Sequence, residues 1–185
     1  MLKATTVSNI NELQEIINLQ EENLIHRLDE ASMYKQGFVT LQHSIDVLQQ
    51  MHDLAPSVII KDDNRVVAYA LVMLQECRLL VPDLEPMFTV FDKLRYNGKP
   101  LKEYRFYVMG QICIAKDYRG QGLFEMLYNT HQAVYSPQYD FIITEVAIRN
   151  QRSMRAHERV GFKILHTYKD ELDEWAVIIW NWKKI

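Results

Sequence analysis

Ile114-Ala115-Lys116-Asp117-Tyr118-Arg119-Gly120-Gln121-Gly122-Leu123-Phe124 separates an apolar run that ends at Ile114 from a helical pattern that begins at Leu123. The order is strand, short polar turn, helix. Gly120 and Gly122 lack a Cβ, so the backbone can bend sharply and an anion can approach it closely. The first amides of the helix have no intrahelical acceptor, and the helix dipole adds partial positive charge there. Arg119 adds a full charge to the same turn. These features describe a cradle for a pyrophosphate-sized anion. It is not a dinucleotide fingerprint, because Glu125 stands where a third glycine is required, and it is not a P-loop, because Gly-Lys-Ser/Thr is absent.

Working outward, Arg105 to Ile114 is a strand that feeds the turn. After the turn, Leu123, Leu127, Thr130 and Val134 fall on one helical stripe, flanked by Phe124, His131 and Tyr135, and Ser136-Pro137 ends the helix. Phe141 to Ile148 is the next strand, so it and the strand before the turn are predicted to be parallel neighbours. A short helix starts at Asn150, and Gly161 ends it as the residue after the last helical turn, with Phe162 packed back over the turn that carries His157. Phe162–Tyr168 and Trp175–Trp182 form a closing antiparallel pair.

On the N-terminal side, Leu2–Val7 is a strand, followed by a helix capped by Asn9 or Asn11. Ile10, Leu13, Ile17 and Leu19 give that helix its apolar side, and Glu12, Glu15, Glu21 and Glu22 face outward. Thr40–Leu54 reads as a second helix and Ser57–Met73 as a hairpin turning at Asp62-Asp63-Asn64. Leu80–Leu94 is a loop that leads into a short helix, and Asn97-Gly98 marks a turn. The expected architecture is α/β: a mixed, mostly antiparallel twisted sheet with a central parallel pair and helices on both faces. The 185 residues are read as one domain.

The formal charge is −3, and no run of Lys or Arg reverses it. That gives no electrostatic case for nucleic acid or an anionic membrane as partner. Two cysteines, Cys77 and Cys113, make no disulfide framework and have no ligand neighbours at metal-binding spacing. No signal-peptide run begins the sequence, so a cytoplasmic location is expected, with no metal.

The order of elements, together with two motifs, resembles the GNAT acetyltransferase superfamily. Ile114 through Phe124 is similar to the family's V-x-P-x-Y-R-G-x-G-x-G turn, with Lys116 in place of proline and Phe124 where Gly or Ala is usual. Asn150 through Phe162 is similar to its N-x-x-A-x-x-x-Y-E-K-x-G-F segment, with His157 in place of tyrosine. The resemblance implies a three-layer fold and acetyl-CoA as acyl donor. It implies that the backbone of Ile112, Cys113 and Ile114 faces the pantetheine arm. It places the pyrophosphate on Arg119, Gly120, Gln121, Gly122, Leu123 and Phe124, with Asn150 beside the arm.

The implied reaction is N-acetyl transfer to an amine of a small molecule or peptide, directly in a ternary complex. The alternative is a coenzyme A–binding regulatory domain with weak or no catalysis. Alternation along Phe141-Ile142-Ile143-Thr144-Glu145 puts the Glu145 carboxylate on an apolar strand face, which makes it the candidate base. Gln111 is a candidate for positioning water. His157 is the candidate acid, because a neutral imidazole keeps one N–H to donate. Tyr34, Phe38, Tyr104, Tyr107, Trp180 and Trp182 are candidate walls of the acceptor site, and Asp29, Glu30 and Glu85 candidate attractors of an amine. The aromatic last strand leaves a homodimer open.

Overall fold

The apolar runs Val66–Met73 and Phe106–Met109 lie side by side at the centre of a seven-stranded sheet in the computed structural model, which describes residues 1–24, 39 and 41–183. The described elements are β1 (Leu2–Thr6), α1 (Ile10–Glu22), α2 (Ile45–Leu54), β2 (Val58–Asp62) and β3 (Arg65–Met73). Then come α3 (Glu85–Lys93), the two-residue strands β4 (Arg95–Tyr96) and β5 (Lys99–Pro100), β6 (Phe106–Ile114) and α4 (Leu123–Tyr135). The chain closes with β7 (Phe141–Ala147), α5 (Gln151–Val160), β8 (Lys163–Lys169) and β9 (Glu174–Asn181). The sheet order is β1-β2-β3-β6-β7-β9-β8. Among the described strands only β6 and β7 run parallel, as the strand–turn–helix–strand reading predicts.

Every residue from Val66 to Met73 is buried, so both faces of β3 are covered. Helices α1 and α2 pack together on one face; α4 lies across β1, β2 and β3 on the other, with α5 against it. Both faces therefore carry helices, as expected. Among the described residues, no helix is long and apolar enough to cross a membrane.

Two features of β6 shape the site. Its ladder with β7 has only three pairs, Phe106↔Phe141 to Val108↔Ile143. Beyond them the strands part, apart from one side-chain tie, Thr144 Oγ1 donating to the Met109 carbonyl at 2.8 Å. On the other side, Val72 pairs with Met109 but Ala70 with Ile112, so Gly110 and Gln111 oppose one residue, Leu71. This is a β-bulge, which re-aims the side chains beyond it. Tyr107, before the bulge, packs on His131 of α4. Cys113, after it, lies beneath Leu19 of α1. Unbroken alternation would have put both on one face.

Several local expectations are corrected. Glu12 does not face water: it is 5% exposed. Its carboxylate caps the Ser8 amide and hydroxyl and pairs with Lys61 at 2.6 Å. Those donors lower its pKa and offset the cost of burial. Glu15 also turns inward, accepting from the Val66 amide at 2.6 Å. The helix expected from Thr40 begins only at Ile45, because the Ser44 hydroxyl caps the Val47 amide. Before it, Gln20 clamps the backbone of His43 by both its amide and its carbonyl. On α4, Val134 is 39% exposed, and the buried side consists of Leu123, Leu127, Tyr128, His131 and Tyr135. The polar-tipped aromatics go inside because each finds a partner there: His157, Tyr107 and the Pro56 carbonyl.

Candidate functional site

The parting of β6 and β7 opens two adjoining cavities that share Val39, Ile112, Asn150 and Ser153 as a common wall. The first, of about 670 Å³, lies over the glycine turn. Gly120 and Gly122 both adopt left-handed backbone, with φ of 76° and 79°. A Cβ at either would meet nothing within 4 Å, so conformation, not crowding by protein, calls for glycine. Gly122 is the N-cap of α4 and supplies no side-chain acceptor to the first helical amides. Those amides open onto a cavity flanked by Gly120, Leu123 and Phe124. That is the geometry of an anion site.

Ile112, Cys113, Ile114, Arg119, Gly120, Gly122, Leu123, Phe124 and Asn150 are all brought to this cavity. Gln121 is not: its side chain turns back to donate to the Asp117 carbonyl at 2.9 Å. Arg119 spends its Nε–H on the Ile114 carbonyl (3.0 Å) and reaches Asn23, the C-cap of α1. It thus fastens the turn to the end of β6 while lending its charge to the cavity. The Phe124 ring packs on Tyr128 (5.2 Å between centroids) and edge-on against His157 (5.0 Å), so it fills the gap between α4 and α5 and does not close the turn. Burial pushes the Cys113 thiol up to about 12, which keeps it a protonated, inert thiol at neutral pH. Asn150 caps α5, its Oδ1 accepting from the Ser153 amide at 3.2 Å.

The second cavity, of about 540 Å³, lies on the β7 side of the gap and holds Glu145. Burial raises the Glu145 pKa to about 7, although the Tyr168 hydroxyl, donating at 2.5 Å, pulls it back down. A carboxyl poised near neutrality beside a cavity is suited to taking a proton. Sequence patterning did not find Tyr168, since only the pairing of β7, β9 and β8 brings it near Glu145.

His157 is 1% exposed. Its Nδ1 lies 2.8 Å from the Ser153 carbonyl, which can only accept, so Nδ1 carries the proton. Burial lowers its pKa to about 4, so the ring is neutral and Nε2 accepts from the Tyr128 hydroxyl at 2.6 Å. The imidazole N–H is thereby engaged within the fold. Gln111 is engaged too: it accepts from Tyr69 (2.5 Å) and donates to the Leu41 carbonyl (2.7 Å).

The expected aromatic walls are elsewhere. Tyr107 stacks on His131, Trp180 packs on Tyr128 and Phe162, Tyr104 meets Phe141, and Trp182 meets Tyr107. None of the four lines either cavity. Glu85 is paired with Arg78. Tyr34, Phe38, Asp29 and Glu30 lie outside the described residues.

Comparison with known proteins bears on the family and the fold. A family model described as "Acetyltransferase (GNAT) family" matches residues 13–162. No curated protein matches the sequence. Among solved structures, the ribosomal-protein-S18-alanine N-acetyltransferase from Escherichia coli superposes with a TM-score of 0.66 at 9% identity, covering 100% of this chain and 96% of that one. The protein yncA from Salmonella typhimurium, solved with its cofactor acetyl-CoA, gives 0.63 at 11% identity, covering 100% and 95%. A chain of the NatC complex bound to Gag peptide and CoA gives 0.65 at 14% identity, covering 98% and 99%. At these identities the likeness is one of fold.

Proposed function

The chain belongs to the GNAT acetyltransferase family, and from that premise we propose that it moves the acetyl group of acetyl-CoA to an amine by direct transfer in a ternary complex. The observation that carries this reading is the junction of two cavities at the β6–β7 gap, one an anion cradle and the other holding a near-neutral carboxyl. The cradle suits the pyrophosphate of acetyl-CoA. Its arm would run along β6 beyond Val108, where the ladder with β7 has ended. The thioester would then lie near the shared wall of Ile112 and Asn150, with the amine entering past Glu145.

Only a neutral amine attacks a carbonyl carbon. Glu145 takes the proton as the new N–C bond forms, and the C–S bond breaks with the electron pair leaving on sulfur. Tyr168 holds the Glu145 carboxylate in place. His157, already bonded at both nitrogens, orders α5 against α4 beneath the site, and the departing thiolate leaves without a dedicated acid.

Calorimetry with acetyl-CoA, coenzyme A and NAD tests the cradle, and thiol release with amines tests the chemistry. Tight binding of both coenzyme A forms, not NAD, and amine-dependent thiol release are expected. Absence of binding to either coenzyme A form would end this reading.

A further inference from the structure

The cavity around Glu145 has a charge pattern that the transfer reaction itself does not require. Its lining carries four carboxylates, Asp83, Glu145, Asp170 and Asp173, and among the described residues one guanidinium, Arg149. Arg149 is held by Asp173 at 2.5 Å. Asp83 belongs to the turn before α3, whereas Asp170 and Asp173 belong to the turn between β8 and β9, so two separate segments supply the negative rim. Asp170 is kept ionised by the Leu172 and Asp173 amides, each donating at 2.8 Å, and its pKa is lowered. Once the Arg149–Asp173 pair is set aside, Asp83, Asp170 and Glu145 remain without a cation among the described lining residues. Between the charges the walls are apolar: Leu41, Leu84, Pro86, Met87, Leu172 and Trp175.

Resting on the acyl-transfer reading, we infer that the acceptor is a dication: a primary amine on a short apolar chain that bears a second protonated amine and no carboxylate. One amine reaches Glu145 and reacts. The apolar walls cover the methylene chain. The second ammonium stays at the rim, where Asp83 and Asp170 attract it. An amino acid of the same length would bring its carboxylate to that rim and meet repulsion, with Arg149, the one guanidinium among the described lining residues, already paired.

The test compares three amines of one chain length: 1,4-diaminobutane, butylamine and 4-aminobutanoate. Thiol release from acetyl-CoA is measured for each, corrected for the fraction of unprotonated amine. Binding of the same amines to the coenzyme A–loaded protein is measured by calorimetry. The diamine is expected to exceed butylamine in kcat/KM at least tenfold and 4-aminobutanoate by a further tenfold. The diamine-to-amino-acid ratio should fall at least threefold in Asp83→Asn and narrow in high salt, as screening demands. Turnover in which 4-aminobutanoate equals or beats the diamine would overturn the inference and leave acyl transfer standing. If no amine is turned over, preferential binding of the diamine would keep the cavity's selectivity for a dication while acyl transfer falls. Equal or absent binding of all three would then remove it.

Discussion

In the proposed transfer Glu145 is the residue on which the chemistry turns, and its burial gives two pH signatures. As a base it must be ionised, so kcat/KM for thiol release should climb through about pH 7. Glu145→Gln, which keeps the bond from Tyr168, should lose about 10²- to 10⁴-fold in kcat along with that limb. A limb that persists in the variant would assign the base elsewhere. Tyr168→Phe separates positioning from structure. The Tyr168 hydroxyl lowers the Glu145 pKa, so its removal should move the ascending limb to higher pH while melting changes little. Stability carries the second signature. The folded pKa of Glu145 lies above the ordinary 4.5, so the folded state holds the proton more tightly. Its contribution is full below about pH 4.5 and is lost as pH rises towards 7, on the order of 2–3 kcal/mol. Chemical denaturation of Glu145→Gln should show that slope removed.

At the scale of elements, the glycine turn and the end of α5 bear the constraints. Gly122→Trp asks a bulky residue to adopt φ of 79° and points its side chain into the first cavity. Calorimetry should find coenzyme A binding weakened at least tenfold, with the fold retained by circular dichroism. Gly161 is constrained differently. It adopts φ of 116°, and a Cβ there would lie 3.0 Å from Trp180 Nε1. The Phe162 amide returns to the His157 carbonyl at 3.1 Å, so this one residue aims Phe162 at His157. Gly161→Ala should cost about 1–3 kcal/mol in thermal unfolding. These two elements were legible in advance because their signals are local: a glycine pair before an apolar helix, and Asn150 with Gly161 bracketing ten residues. Other signals were misread for an equally local reason. The start of α2 depends on Ser44 and on Gln20 from a different helix, which no periodicity encodes.

Over the whole molecule, burial of polar groups sets the pH range of the fold. His43, His131 and His157 are buried and neutral, with pKa values lowered to about 4, 3 and 4 by desolvation. Their folded values lie below the ordinary 6.5, so their contribution is full above that pH and is lost as pH falls through the folded values. Acid unfolding should therefore steepen below about pH 6, and His157→Phe should soften it while leaving the Tyr128 hydroxyl short of its acceptor. The sequence by itself determined the element order, the parallel pair, the glycine turn before α4 and the carboxylate on β7. Those follow from apolar periodicity, glycine and caps, which act within a few residues. Only the tertiary structure decided that Phe124 turns inward, that His157 is closed off between Tyr128 and Ser153, and that Tyr168 holds Glu145. It also decided that the ladder between β6 and β7 ends after three pairs. Those outcomes depend on which strands become neighbours and how deeply each group is desolvated, and both are properties of the packed chain alone.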